Sequence, residues 1–220
     1  MNNNKFLLIL FLQISICAIV CGRSTAATNS FQYPTYVGIA GGYGSTTWKG
    51  LVPNKENQNL AMSLSTPTEA IEGGGVWGLF AGYEFNPFFA LEASYFQYPI
   101  AQVYFDNISI FSHSNHGLTS FTTQTEATTL TAKIMLIVPK TKLRAYSSFG
   151  AANVRRKDFL FNNWHISPTF GFGFNYNFTA HIMGEFGGSY VAGYGEAQLN
   201  PTEVYVPFLI SGFVRLAYRF

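Results

Sequence analysis

The chain has 220 residues, of which 17% are aromatic and only 11% are charged, whereas about 25% of the residues of an ordinary soluble domain are charged. The formal net charge of +2 excludes the strongly basic surface with which a protein binds nucleic acid. No run of 18 apolar residues follows the N-terminal segment, which argues against helical membrane spans.

The first predicted element is a secretory signal peptide over residues 1–27. A lysine precedes a short apolar run over 6–20, and small residues follow, which is the arrangement of a cleavable leader. We expect cleavage after Ala26 or Ala27, which leaves 28–220 as a single domain. Both cysteines and two of the 13 basic residues lie in the leader. The mature chain therefore has 11 basic residues (13 − 2) against 11 acidic ones, and no disulfide or cysteine metal site.

Eight segments after the leader alternate large apolar residues with small or polar ones, which is the period of a β-strand. The clearest is 164–178, which has an aromatic-rich face and a face of small or uncharged residues. A water-facing strand would normally carry Lys, Glu and Arg on its polar face. The pattern therefore predicts that lipid contacts the aromatic face and that a narrow lumen lies behind the other. In chain order, the predicted strands are 36–43, 76–85, 88–98, 130–138, 143–153, 164–178, 182–194 and 208–220.

The links between these strands differ in length. Short turns alternate with long loops, and an even number of strands brings the first and last together without leaving an edge in lipid. This arrangement predicts an all-β fold, an eight-stranded antiparallel transmembrane β-barrel in a bacterial outer membrane. The short turns are 86–87, 139–142 and 179–180, and the long loops are 45–74, 99–128, 155–163 and 195–206.

Several motifs resemble the transmembrane barrel domain of the OmpA family. "GYEFNPFFALEASY" at 82–95 is similar to the family's second strand, Asn-Pro turn and third strand, and "LTAK" at 130–133 to its fourth. "SPTFGFGFNYNFT" at 167–179 resembles the sixth strand, and "AYRF" at 217–220 the last. These 220 residues show no counterpart of the peptidoglycan-binding domain of many members. The architecture is therefore more similar to the short barrels of the OmpX, Ail and OmpW type, and we expect no cell-wall anchoring.

The last strand ends on aromatic residues. Tyr218 and Phe220 point the same way, so we expect both in the aromatic girdle at the membrane interface. A C-terminal Phe after alternating apolar positions also resembles the signal read by the outer-membrane assembly machinery. That resemblance implies the assembly machinery as a partner during biogenesis and outer-membrane lipid as a permanent one.

Four charged residues fall deep on the predicted lumen face, and buried charges persist only when they are paired. We expect them to form a polar plug, and the family resemblance implies that two of them, Glu92 and Lys133, match an ionic network that blocks the lumen. The alternative is a gate whose ion pairs switch partners and open a thin water path. Glu84 and Arg219 point the same way but are expected at the periplasmic rim, within reach of water. The four residues of the predicted cluster are Glu92, Lys133, Glu185 and Arg215.

Enzymatic and metal-binding signals are weak. His165 and Ser167 are similar to the His-x-Ser of lipid A deacylase barrels, but both are predicted to point inward, away from lipid substrate. His113 and His116 lie in a polar loop without further obvious metal ligands. We therefore predict no catalytic residue, no metal site and no cofactor.

The long loops supply the remaining functional surface. The 99–128 loop is unusually apolar at 103–105 and 108–111. Either the flanking strands project beyond the membrane as a paired ribbon, or an apolar patch binds a host or envelope protein. The predicted function is structural support and surface presentation, with loops that mediate interaction or adhesion. The alternatives are a narrow pore for small solutes gated by the interior charges, a lipid-modifying barrel enzyme and a soluble lipocalin-like binder.

Overall fold

The computed structural model describes residues 33–53, 64–195 and 205–220. The predicted signal peptide lies outside these residues. Short helical segments include a 3-10 turn at Trp48–Leu51 and helix α1 at Ile110–Ser114. None of the described helices is long and apolar enough to cross a membrane. The described strands are β1 (Thr35–Ser45), β2 (Glu69–Ile71), β3 (Gly74–Asn86), β4 (Phe89–Gln97), β5 (Ala101–Tyr104), β6 (Ser120–Ile137), β7 (Leu143–Lys157), β8 (Asn162–Asn177), β9 (Ile182–Val191) and β10 (Leu209–Arg219).

Eight of these strands close into an antiparallel barrel. The order around the wall is β1-β3-β4-β6-β7-β8-β9-β10, and β10 returns to pair with β1. The closing register runs from Tyr36 opposite Arg219 to Ser45 opposite Ile210. The predicted eight-stranded transmembrane barrel is thereby confirmed, and no strand of the wall is left with an unpaired edge.

Side chains alternate between the outside and the lumen along each wall strand, as the sequence pattern predicts. On β8, Phe170, Phe172 and Phe174 are 54%, 71% and 50% exposed on the outer face, whereas Thr169 and Asn175 are buried on the inner face. Such exposure of Phe would be unfavourable in water, and it is favourable where the outer face contacts hydrocarbon. The outward aromatic row is therefore the lipid-facing surface.

The periplasmic turns are short because local side chains supply their hydrogen bonds. The Asn86 side chain accepts a hydrogen bond from the amide of Phe88, as in an Asx turn. Thr179 accepts in the same way from the amides of His181 and Ile182. The three predicted turn positions agree with the structure.

The extracellular side contains more strand than the sequence predicts. β6 begins at Ser120 rather than at residue 130, and its upper part pairs with β5 instead of β4. β2 pairs with β5 on the other side. The sequence signal is weak here because β5 and the upper part of β6 lie beyond the lipid and present Gln102, Ser120 and Thr122 outward rather than Phe. We call the segments above the membrane, including this ribbon, the extracellular cap.

Candidate functional site in the lumen and the extracellular cap

The structure brings the four predicted lumen charges into contact. The ammonium of Lys133 lies 2.9 Å from a carboxylate oxygen of Glu92 and 2.8 Å from one of Glu185. Arg215 Nη1 lies 2.6 Å from the other oxygen of Glu92 and 3.1 Å from the other oxygen of Glu185. Each carboxylate therefore contacts both cations, and the cluster of two acids and two bases is electrically neutral. All four side chains are almost fully buried.

Strand register explains why these four residues meet. Glu185 and Arg215 are direct partners across β9 and β10. Glu92 lies opposite Thr131 on β6, one inward position above Lys133. Because the lumen of an eight-stranded barrel is only wide enough for side chains to fill it, long charged side chains from facing walls reach one another at the centre.

Two tyrosines complete the cluster, and sequence reasoning missed both. The hydroxyl of Tyr36 donates to Glu92 at 2.9 Å, and the hydroxyl of Tyr146 donates to Glu185 at 2.6 Å. The inward orientation of Tyr36 could have been predicted, because Tyr36 lies two and four residues before the inward-facing Gly38 and Ala40 on the same strand. The orientation of Tyr146 could not, because small residues stand on both faces of its strand and leave the phase ambiguous.

A second buried cluster lies towards the periplasmic end. Arg144 donates to both carboxylate oxygens of Glu84, at 3.1 Å and 2.7 Å, and Arg219 contacts the same carboxylate. The expectation that water reaches Glu84 and Arg219 is therefore wrong, since both are buried. The physical reason is Arg144, which crosses from the opposite wall, is oriented by Asn175 at 2.8 Å and helps to fill the lumen above the rim.

A small cavity with a mixed polar and apolar lining lies on the extracellular side of the four-charge cluster. Its volume is about 30 Å³, which is enough to hold at least one water molecule. Hydroxyl groups of Ser94, Thr169 and Ser189 line it. Above it, the lumen is filled by apolar side chains, among them Val76, Val154, Val191 and Leu209. The described lumen is thus occupied by ionic, polar and apolar layers in succession.

The extracellular cap has its own apolar core. Trp48, Val103, Phe111, Phe121 and Tyr205 are buried together in it. Val103 and Phe105 point into this core. The apolar residues at 103–105 are therefore explained by the projecting ribbon and not by an exposed binding patch. By contrast, several large apolar side chains of the cap are at least half exposed, and we call four of them the apical residues: Ile108, Ile110, Leu118 and Phe159.

Arg156 joins the segments of the cap. Its Nε lies 2.6 Å from Asp158, its Nη1 donates to the carbonyl of Tyr205 at 2.6 Å, and its guanidinium lies 5.0 Å from the centre of the Trp48 ring. Burial raises the pKa of Tyr205 to about 12, so the phenol adds no charge to this core at neutral pH. Sequence reasoning missed Arg156 because it placed residues 155–163 in a loop.

The weaker candidates do not form a catalytic or metal-binding arrangement among the described residues. Ser167 is buried in the barrel, while the His165 ring stacks on Tyr194 with 3.9 Å between ring centres. His113 and His116 are exposed. In the described ranges, no group of three potential ligands is placed to hold a metal ion.

The terminal aromatics lie at the closing seam. The amide of Phe220 donates to the carbonyl of Thr35 at 2.9 Å, and the rings of Tyr218 and Phe220 meet edge to face with 5.1 Å between their centres. Both side chains face outward and are about half exposed. Their role as an assembly signal stays a prediction.

The chain resembles a known family and known structures. The family model of the outer membrane protein beta-barrel domain matches residues 14–207. Neisserial surface protein A is 12% identical to the chain, with a TM-score of 0.51 over 84% of this chain and 97% of that one. OprG from Pseudomonas aeruginosa is 13% identical, with a TM-score of 0.52 over 86% and 96%. No curated protein sequence matches the chain.

The two structural similarities show the same fold, while the family match covers most of the sequence. The inward charges, the outward aromatic rows and the closed wall agree with that match. The chain therefore belongs to the outer membrane protein beta-barrel domain family and is an integral protein of the bacterial outer membrane.

Proposed function

We propose that the protein is a non-enzymatic surface protein whose barrel supports the extracellular cap and whose cap binds a host or envelope protein. The observation that carries the proposal is the exposure of the apical residues on a cap that already has a packed core. Contiguous apolar patches on an ordered, water-facing surface are typical of interaction sites, and two of the apical residues, Leu118 and Phe159, line the same surface pocket. The plugged lumen supports the same assignment, because layers of side chains occupy the path through the barrel.

Attachment of cells that display the protein tests this proposal. The variant Ile108→Ser/Ile110→Ser/Phe159→Ser removes three apical residues, all at least half exposed, and we expect attachment to host cells or matrix to fall to the level of cells without the protein. The control is His113→Ser on the same helix as Ile110, which removes a polar exposed side chain and should leave attachment unchanged. Equal attachment by the triple variant and the native protein would refute the role of the apical residues.

A narrow pore is the second candidate, and the small cavity beside the four-charge cluster favours it. The cavity adjoins a cluster in which each carboxylate contacts two cations, so an ion pair there could exchange partners without leaving a charge unpaired. Single-channel recording in planar bilayers separates the two candidates. Silence supports the plugged surface protein, whereas steady openings that disappear in Lys133→Met would support the pore.

A further inference from the structure

The outer face of β8 marks the two interfaces of the membrane. Tyr176 and Trp164 are outward-facing aromatic residues near its two ends. With a rise of about 3.3 Å per residue and a tilt of about 40°, the stretch between them covers roughly 30 Å along the membrane normal. This matches the thickness of the hydrocarbon core. Since Tyr176 adjoins the periplasmic turn, Trp164 lies at the level of the outer-leaflet headgroups.

Arg155 lies at the same level and is held in a fixed orientation. It pairs with Trp164 in the strand register, and its guanidinium lies 5.4 Å from the centre of that ring. Its Nε donates to Asn162 at 3.1 Å, and its Nη1 donates to Glu126 at 3.1 Å. The other oxygen of Glu126 accepts a hydrogen bond from Tyr95 at 2.7 Å. Within the described residues, Arg155 Nη2 makes no hydrogen bond and is left to bind a further acceptor.

A second cation stands directly above this one. Lys157 is two residues further along β7, on the same outer face, and is exposed without an ion pair among the described residues. Together with Glu126, the two cations leave one net positive charge on this part of the rim. The outer faces of β1, β3 and β9 carry Tyr43, Trp77 and Tyr190 near their extracellular ends instead. Among these outward-facing residues near the extracellular ends of the described strands, the cations therefore lie on β7, whereas β1, β3 and β9 present aromatic rings.

We propose that Arg155 and Lys157 bind a phosphate group of an outer-leaflet glycolipid of the lipid A type. An outward residue at headgroup level contacts lipid by virtue of its position, and adjacent basic residues at a membrane surface attract anionic headgroups. The guanidinium supplies a charge-assisted hydrogen bond to a phosphate oxygen, and Lys157 supplies a second charge. Trp164 anchors the site at the boundary between acyl chains and headgroups.

Native mass spectrometry of the detergent-solubilised protein tests the proposal. The probes are bisphosphorylated lipid A and the same lipid A without its phosphates. We expect the native protein to retain the phosphorylated lipid about tenfold better, the factor of one charge-assisted hydrogen bond. Arg155→Gln/Lys157→Gln should lose this preference, and Lys157→Gln alone should lose part of it. A folded barrel migrates faster in SDS gels than the same protein after heating. This change in mobility on heating confirms that each variant is folded.

The control variant Lys49→Gln/Lys142→Gln removes the same number of positive charges elsewhere and should keep the preference. Retention of the full preference by the double variant at Arg155 and Lys157 would overturn the proposal, as would equal retention of both lipids by the native protein. Displacement of the lipid by millimolar inorganic phosphate would likewise overturn it, because it would identify a site for free phosphate rather than for a lipid.

Discussion

Single residues in the lumen are stabilised by their partners rather than by water. Glu92 accepts hydrogen bonds from Lys133, Arg215 and Tyr36, and Glu185 accepts from Lys133, Arg215 and Tyr146. Burying a charge is unfavourable unless its partners replace the lost hydration. The free energy of the cluster therefore depends on every member, and removal of one leaves charges that the rest cannot balance.

Lys133 provides the first test at this scale. Lys133→Ala leaves two buried carboxylates with one cation, and we expect the free energy of unfolding to fall by about 3–5 kcal/mol. Lys133→Met, which keeps the volume, should show most of the same loss if charge and not packing is the cause. Urea unfolding in detergent micelles gives both values.

The exposed Lys142, whose ammonium reaches only the carbonyl of Phe178 at 3.5 Å, is the control. Lys142→Ala should change stability by less than about 0.5 kcal/mol. An unfolding curve for Lys133→Met that superimposes on the native curve would mean that the ion pairs of the cluster do not stabilise the barrel.

Strands of the wall pair closely at glycines, and β1 shows this at the seam. A Cβ at Gly42 would collide with the carbonyl oxygen of Gly212 and lie 2.7 Å from the Cα of Phe213, both of them backbone positions that cannot rotate away. A Cβ at the neighbouring Gly41 would meet nothing within 4 Å. The two faces of β1 therefore differ in what they can accommodate.

Substitution at these two glycines tests the seam. Gly42→Ala should destabilise the barrel by about 1–3 kcal/mol, the usual cost of overpacking, because β1 and β10 must separate slightly. Gly41→Ala points to lipid and should be nearly neutral. The temperature at which the folded band disappears on SDS gels measures the stability of each variant. Equal temperatures for the two variants would contradict the close approach at Gly42.

The stability of the cap depends on the buried, paired charge of Arg156, as the stability of the lumen depends on the four-charge cluster. Arg156→Met removes the ion pair with Asp158 and the hydrogen bond to the Tyr205 carbonyl, and we expect local opening of the cap to become easier by about 3 kcal/mol. Chymotrypsin should then cleave the cap about 100-fold faster, since cleavage follows the population of the open state.

Lys157→Met, one residue further along β7 and exposed, is the matched control and should be cleaved at the native rate. The barrel below should keep its heat-dependent mobility shift in both variants. Cleavage of Arg156→Met at the native rate would show that the cap core stays folded without this residue.

The whole molecule is organised by two solvents, because hydrocarbon surrounds the wall and water surrounds the cap. A spin label at Phe172, 71% exposed in the middle of β8, should be relaxed by lipid-soluble oxygen and protected from a water-soluble nickel complex. A label at Ile110 should show the reverse. Access of the nickel complex to position 172 in bilayers would contradict the placement of the aromatic rows in lipid.

Much of this architecture follows from the sequence because lipid imposes a strict period. Every strand that crosses hydrocarbon must alternate, so residues such as Trp77, Leu79 and Phe172 identify their strands and faces without reference to any contact. The inward positions of Glu92, Lys133, Glu185 and Arg215 follow from the same alternation. Where lipid is absent the constraint is lost, so the upper part of β6 and all of β5 have the sequence pattern of a loop.

What the sequence by itself determined is therefore the number of wall strands, their faces and the candidates for the lumen. Only the tertiary structure decided which charges meet. Arg144 joins Glu84 and Arg219 across the lumen, and Arg156 reaches the carbonyl of Tyr205, 49 positions along the chain. Alternation is a local property of one strand, whereas these contacts depend on how eight strands are staggered around a closed wall. That stagger becomes definite only when the barrel closes.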